Sequence, residues 1–366
     1  MATQLNPTIP LDKLKVWVLA PHVQTQDANL NYYYDFSQSI AEYTAVFTQL
    51  HITWQWQPVT MQDYETIIDS IAQERDTQAI YPIVFNLCDG DEVNGTPGIS
   101  VVKLLAKKQL IYTGADANYY TITTSKINMK RAFDVANVAT PKWKAIVQPH
   151  QTITELFSQL GKPIIVKPSV AGGSMGIGIK NVVSTFIELE TQVHRMFQGY
   201  HGWQLTTDGL VAEAFVNGPE YTVFIVGNYN DKANAIIYPP VERVFHASLP
   251  ENEKFLSFDR LWEIYEDENP MPNGANFYEY AVPETSLHEA LKQLAWDAYV
   301  AVQGSGYSRV DIRMDKATGA LYVLEANAQC GISEDENYTS IGAILKFANT
   351  SFTELVVQII NNSIYR

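Results

Sequence analysis

Apolar residues fall into two rhythms along this 366-residue chain. Short unbroken runs mark buried strands, and three-to-four spacing marks amphipathic helices. Residues 15–20 (KVWVLA) are a run of the first kind, and residues 37–50 follow with helical spacing through Ile40, Val46 and Leu50. Residues 80–87 (IYPIVFNL) give a second strand, which ends in a Gly- and Asp-rich loop, CDGDEVNG, at 88–95. Thr96 then stands as helix N-cap with Pro97 at the first helical position. The spacing predicts a helix over 97–108 that buries Ile99, Val102 and Leu105, then a strand over 110–113. This alternation predicts an open α/β unit over residues 1–117.

A second unit is predicted over residues 118–205. It holds a helix at 125–136 and a strand at 162–169. A Gly-rich loop follows at 171–176, then a return through 177–183 and a helix marked by Phe186, Leu189, Val193 and Phe197. The third unit, 206–366, opens with a strand at 210–216. Asn217-Gly218 predicts a hairpin turn, with 220–226 pairing back. Residues 245–280 lack periodicity and read as a long loop with one short helix, the kind of segment that often serves as a lid. Residues 286–289 (SLHE) have capping-box spacing before a helix that buries Leu287, Leu291, Leu294 and Ala298. A hairpin of 308–314 and 320–327 comes next, and residues 340–361 read as helical.

Composition narrows the class. Apolar residues make up 46% of the chain, which excludes a disordered polypeptide. The net charge of −15 disfavours nucleic acid as a partner. Cys88 and Cys330 show no metal-finger or CxxC spacing and read as packed thiols. No apolar stretch is long enough for a membrane span, and the first residues do not read as a signal peptide, so the expectation is a cytoplasmic protein.

The last hairpin carries the most chemistry. Side chains alternate between the faces of a strand, so Arg309, Asp311 and Arg313 share one face opposite Val310, Ile312 and Met314. Glu325 and Asn327 share a face of the partner strand. Asp311, Glu325 and Asn327 can therefore converge as hard oxygen ligands for Mg²⁺. The competing reading is a surface salt bridge between Arg309 and the acids. Lys167 ends a strand before the Gly-rich loop, so amides and a fixed cation can wrap phosphate oxygens there. The loop has no Walker pattern, and taken alone it reads more readily as a glycine-rich turn. Glu213 and Glu220 flank the expected hairpin, either as nucleotide contacts or as solvated edge acids.

Taken in order, these segments resemble the ATP-grasp superfamily, in its D-alanine–D-alanine ligase-like branch, from about residue 80 onward. The carrying motifs are VFNLCDGDEVNGTPG, TTSKINMKRAF, IIVKPSVAGGSMGIGI, LVAEAFVNGPEYTV and GYSRVDIRMDKATGALYVLEAN. The resemblance implies a three-domain α/β (α+β ATP-grasp) architecture with an N-terminal pre-ATP-grasp domain. It implies ATP bound by Lys126, Lys167, Gly172, Gly173 and Ser174. Glu213 would lie at the adenine edge with Ala214 and Val216 on the same nucleotide segment, and Glu220 at the ribose. It further implies two Mg²⁺ ions, replaceable by Mn²⁺, on Asp311, Glu325 and Asn327, and Arg309 as oxyanion stabiliser. Ser340 would grip the acceptor, and a homodimer would form through the first domain.

The sequence also departs from the family. No Ser-Glu pair aligns in APHVQTQDANLNYYYDF, and Asn327 is followed by AQCGISEDENYTSIGAIL instead of a Pro-Gly-Met-Thr segment. No lid lysine aligns, leaving Arg260 or Lys254 as substitutes. The expectation is an ATP- and Mg²⁺-dependent ligase that joins a small-molecule carboxylate to an amine through an acyl phosphate, acting on a carboxylate other than D-alanine. The alternatives are an authentic D-alanine–D-alanine ligase and a non-catalytic nucleotide-binding protein. Acidic residues Glu334, Asp335 and Glu336 suggest a cationic or amine-bearing acceptor.

Overall fold

A computed structural model describes residues 13–24, 35–78, 80–200, 202–263, 268–335, 337 and 339–365. The first unit is a parallel sheet of β1 (Leu14–Pro21), β2 (Thr53–Val59), β3 (Tyr81–Asn86) and β4 (Ile111–Tyr112), in the order β2-β1-β3-β4. Its helices are α1 (Ser37–Gln49), α2 (Tyr64–Gln78) and α3 (Ile99–Lys107). β2 and α2 escaped the sequence reading. β2 alternates Trp54 and Trp56 with Gln55 and Gln57 and has no apolar run, and α2 buries only Ile68, Ile71 and Ala72.

Two helix details differ from expectation. α1 turns Tyr43, Val46 and Phe47 inward and leaves Ile40 exposed, because the larger aromatics fill the space against the sheet. α3 starts at Ile99 behind Gly98, so Thr96 is not its cap. The Glu92 carboxylate does that work, accepting from the amides of Gly98 (3.2 Å) and Ser100 (2.6 Å). A side chain remote in sequence can satisfy a helix start as well as a local cap.

The second unit begins with α4 (Ala117–Thr124) and α5 (Lys126–Ala136), capped by Asp116 and Ser125. Next come β5 (Trp143–Ile146), α6 (Leu156–Leu160), β6 (Ile164–Pro168), β7 (Val182–Val183) and α7 (Phe186–Gln198). β8 (Leu210–Ala214) completes an antiparallel sheet in the order β5-β8-β6-β7. Two expectations are corrected here. β8 belongs to this sheet, so the second unit runs past the 205/206 boundary and the sheets change over at residues 215–219. Asn217-Gly218 is therefore not a hairpin turn: β8 is flanked by β5 and β6, and the next strand pairs in another sheet. Gly218 instead passes close to the end of a later strand, where an added Cβ would stand 2.2 Å from the Met314 carbonyl oxygen.

That third sheet contains β9 (Glu220–Asn228), β10 (Ile236–Ile237), β11 (Val241–Phe245), β12 (Tyr278–Ala281), β13 (Ser305–Met314) and β14 (Leu321–Ala328). Its order is β12-β11-β9-β13-β14, with β10 beside β9. The segment between β11 and β12 carries one short helix, α8 (Phe258–Trp262), as expected of the long loop. α9 (His288–Ala301) is entered through a 3₁₀ turn at Thr285–Leu287, so the expected capping box is absent. It buries Leu291, Ala295, Trp296, Ala298 and Tyr299, while Leu287 and Leu294 are only partly buried. α10 (Ser340–Ala348) and α11 (Phe352–Ile364) meet at a sharp bend.

Two apolar cores weld the first unit to the third. One joins Trp17, Leu19 and Val84 to Val310, Ile312 and Tyr299. The other joins Val16, Val18 and Phe85 to Phe224, Tyr307, Ile341 and Phe352. The second unit has its own core, built on Ile146, Val166, Leu189 and Leu210. Among the described residues no single helix is long and apolar enough to cross a membrane.

Candidate active site

The three units surround a cleft of about 1370 Å³. It is lined by Lys126, Lys167, Gly172, Gly173, Ser174, Glu213, Ala214, Val216 and Glu220 from the nucleotide prediction. Arg309, Asp311, Glu325, Asn327 and Ser340 also line it. The chain thus brings all of these residues to one cavity.

The hairpin of β13 and β14 sets the centre. Arg309 lies opposite Asn327 and Asp311 opposite Glu325, and the register shifts just beyond Asp311. The shift lets Val323 and Ala326 pack inward while Leu324, Glu325 and Asn327 face the cleft. Asp311 Oδ2 accepts from Arg309 Nη2 (3.0 Å), Arg309 Nε (3.1 Å) and Asn327 Nδ2 (3.0 Å), and Oδ1 accepts from the Thr222 hydroxyl (2.9 Å). The salt bridge weighed as the competing reading is therefore present, but inside the cleft. Burial pushes the Asp311 carboxyl up against the pull of Arg309. Burial also opposes ionisation of Glu325, but Lys126, Arg309 and Lys167 outweigh it and hold that carboxyl below its ordinary value. Two carboxylates and an amide oxygen suit Mg²⁺, which takes few protein ligands and completes its shell with phosphate and water. Among the described residues no cluster of three or more His, Cys, Asp or Glu stands ready for a metal, so a metal here would need that completion.

Lys126 lies 3.5 Å from Glu325 and donates to the Ala171 carbonyl at 3.0 Å, tying the hairpin to the Gly-rich loop. Gly173 and Gly176 in that loop have φ of 56° and 71°, which lets its backbone turn tightly. The β11–β12 segment is docked on it. Trp262 Nε1 donates to the Gly173 carbonyl (2.8 Å), and the Ile179 amide donates to Glu268 (2.8 Å). Of the two candidate lid cations only Arg260 lines the cleft. Its Nη2 pairs with Glu253 at 2.8 Å, its Nε stands 3.6 Å from the Glu268 carboxylate, and Nη1 is buried without a hydrogen-bond partner. Lys254 pairs with Glu251 away from the cleft.

Glu213 and Glu220 are not solvated edge acids. Glu213 is 2% exposed, and its carboxylate is shared by Lys167 and, at 2.8 Å, Lys130. Burial disfavours that charge, but the two lysines outweigh it and bring the carboxyl to about 2. The two lysines hold this carboxylate at the cleft wall, beside Ala214 and Val216. Glu220 is held by Arg243 and by Arg313 at 3.3 Å.

Ser340 opens α10, with its hydroxyl buried and without a hydrogen-bond partner at the cleft wall. Of the acidic loop, Glu334 and Asp335 do not line the cleft, and Asp335 is spent on the Asn337 amide (2.8 Å). Glu336 lies outside the described residues. The acidic run therefore gives no support for a cationic acceptor. Both cysteines are buried, and burial pushes their thiols up, that of Cys330 to about 12. Sequence reasoning missed Arg243, Trp262, Gln329 and Asp89. All four line the cleft, and the only visible signal was Asp89's place in the Gly- and Asp-rich loop.

Residues 132–361 match the family described as "D-ala D-ala ligase C-terminus". The chain belongs to this family. As an ATP-grasp member of the D-alanine–D-alanine ligase type, it is an ADP-forming ligase of C–N bonds. The D-alanine–D-alanine ligase of Marinobacter nauticus is 26% identical over 261 residues, covering 71% of this chain and 69% of that protein. D-alanine–D-alanine ligase B of Xanthomonas campestris pv. campestris is 27% identical over 255 residues, with 68% and 69% covered. The fold is similar to that of the D-alanine–D-alanine ligase of Bacillus anthracis complexed with ATP, at a TM-score of 0.65 and 18% identity over 96% of this chain and 97% of that one. It is equally similar to the VanG D-Ala:D-Ser ligase of Enterococcus faecalis, at a TM-score of 0.65 and 16% identity over 96% and 99%.

Proposed function

We propose that this family member joins two amino acids, with D-alanine the first substrate to test. The names of the relatives favour D-alanine over the other carboxylate expected from the sequence departures. The observation that carries the reading is the hairpin cluster of Arg309, Asp311, Asn327 and Glu325 facing Lys126 and Lys167 across one cleft.

In this reading Lys126, Lys167 and the amides of 172–174 hold the phosphates of ATP. Ala214, Val216 and Leu324 line the base site, and Glu220 faces the ribose. Asp311, Glu325 and Asn327 would hold Mg²⁺, which neutralises phosphate charge when bound. A substrate carboxylate oxygen attacks the γ-phosphorus, ADP leaves, and an acyl phosphate remains. The amine nitrogen then attacks the carbonyl carbon, phosphate leaves, and the nitrogen loses its proton to solvent. Phosphoryl transfer needs mainly positioning and charge neutralisation, which the lysines supply. Arg309 stabilises the oxyanion of the tetrahedral intermediate, and Arg260 approaches the transferring phosphate from the lid. Ser340, at the positive end of α10, receives the acceptor's carboxylate. The docked β11–β12 segment keeps water from the acyl phosphate.

A second reading, another carboxylate substrate, is favoured by the absence of the family's Pro-Gly-Met-Thr segment after Asn327. The test is ADP release with Mg-ATP against D-alanine alone and against panels of D- and L-amino acids, with product masses. D-alanyl-D-alanine from D-alanine alone supports the first reading. A mixed condensation product supports the second. ATP binding with no amine-dependent ADP release overturns both.

A further inference from the structure

We propose that Asp89 binds the ammonium group of an amino-acid substrate and so selects amino acids over their des-amino analogues. The inference rests on the ligase reading above and adds a residue to it. Asp89 follows β3 in the loop that enters the cleft, and its side chain is open to the cavity.

The loop fixes the backbone on either side of Asp89. The Tyr120 hydroxyl donates to the Gly90 carbonyl (2.8 Å) and lies 3.4 Å from the Cys88 carbonyl, clamping both neighbours of Asp89. The Gly90 amide donates to the Pro97 carbonyl at 2.9 Å, and an added Cβ on Gly90 would stand 2.0 Å from the Thr96 carbonyl oxygen. Beneath the loop Gln329 bridges two units: Nε2 donates to the Asn86 carbonyl (2.8 Å) and Oε1 accepts from the Ala115 amide (2.7 Å). A backbone fixed in this way sets the point from which the carboxylate reaches into the cleft.

No cation answers it. Among the described residues Asp89 makes no ion pair, whereas the neighbouring cleft acids are used locally. Asp35 accepts from the Ser37 amide (2.9 Å) and Asp91 from the Asn94 amide (3.1 Å). The titratable groups that feel the Asp89 charge are the adjacent Cys88 and Asp91 on its own loop, Tyr120 on α4, Tyr307 on β13 and Cys330 after β14, and none of them is cationic. An accessible carboxylate with no cation beside it is free to form a charge-assisted hydrogen bond with a cationic ligand.

Its place suits the reaction. Cys330 lies against the Arg309 backbone and feels both the Arg309 guanidinium and Asp89. The next residue, Gly331, approaches Thr339, just before Ser340. Asp89 thus shares the cleft with the oxyanion donor Arg309 and the α10 N-terminus at Ser340.

The test is equilibrium binding of D-alanine, L-alanine, β-alanine and propionate to protein loaded with a non-hydrolysable ATP analogue and Mg²⁺. At least one amino acid should bind the wild type about tenfold or more tighter than propionate, and Asp89→Asn should abolish that preference. The ATP analogue should bind both proteins alike, which reports an intact fold, and Asp89→Glu should recover part of the preference. Propionate binding as tightly as the amino acids, a preference kept by Asp89→Asn, or no amino-acid binding at all would each overturn the proposal. Because turnover is not read, a ligase that failed the ADP assay would not mask these outcomes.

Discussion

Glu213 holds Lys167 from beneath the cleft, and the same carboxylate carries Lys130 at 2.8 Å. Lys130 is 1% exposed and also donates to the Thr140 hydroxyl at 2.5 Å, so one acid neutralises a buried cation and orients a cleft cation. Removing one partner of a buried pair strands the other charges. Glu213→Gln is therefore expected to destabilise the protein by about 3–5 kcal/mol in denaturant unfolding. The pH dependence follows in sign. The carboxyl drops from 4.5 to about 2 on folding, so its contribution is complete above pH 4.5 and is lost as pH falls toward 2. That contribution is about 3 kcal/mol, and the variant's acid-unfolding curve should lack it.

Arg309 is expected to act after phosphoryl transfer. Its guanidinium bonds Asp311, not the Gly-rich loop. Arg309→Ala should bind ATP nearly as the wild type does, while amide formation falls by about 10²–10³-fold. Comparing ATP-analogue affinity with product formation checks this, and unchanged product formation would remove Arg309 from the oxyanion role.

Arg260 and Lys254 separate the lid cation from a bystander. Arg260 lines the cleft with its Nη1 still unpartnered, whereas Lys254 pairs with Glu251 outside it. Arg260→Met is expected to lower kcat by about 10²-fold, with Arg260→Lys recovering part of it. An exposed pair contributes little, so Lys254→Ala should stay within about twofold of the wild type. Steady-state kinetics on the three variants reads the difference.

Side-chain periodicity made the β13–β14 cluster legible, because alternation alone puts Arg309 and Asp311 on one face and Glu325 with Asn327 on the facing strand. The register shift beyond Asp311 was not legible, and it is what turns Leu324 as well as Glu325 to the cleft. Asn217-Gly218 misled for a related reason. A turn signal is local, but β8 already has β5 and β6 as neighbours, so the chain leaves for another sheet. Long-range pairs were hidden for the same cause: nothing near Glu213 in sequence announces Lys130, and nothing near Glu92 announces the start of α3.

Glu325 and Asn327 should report metal dependence. Both face the Asp311 carboxylate, and Lys126 stands 3.5 Å from Glu325. Glu325→Gln removes a hard anionic ligand and leaves Lys126 less well paired. It should raise the Mg²⁺ concentration needed for half-maximal ADP release by tenfold or more, about the loss typical of a perturbed metal site. A Mg²⁺ titration unchanged in the variant would count against the ligand assignment.

Asp89 should affect stability and selectivity with opposite signs. Although its side chain opens to the cavity, the protein packed around it strips away much of its water and pushes its carboxyl up to about 6, with Asp91 adding to the shift and its own backbone amide opposing it. A raised acid favours the folded state only while protonated, so its charge weakens the fold as pH rises from 3.8 to about 6. Asp89→Asn removes that charge. The substrate-free variant should melt higher than the wild type at pH 7 to 8, and the gain should vanish below about pH 4, where both side chains are neutral. Added amino acid should reverse the order, since only the wild type gains stability from the bound ammonium. Thermal melting across pH, with and without D-alanine, distinguishes this from a packing role, which would lower the melting temperature of the variant at every pH.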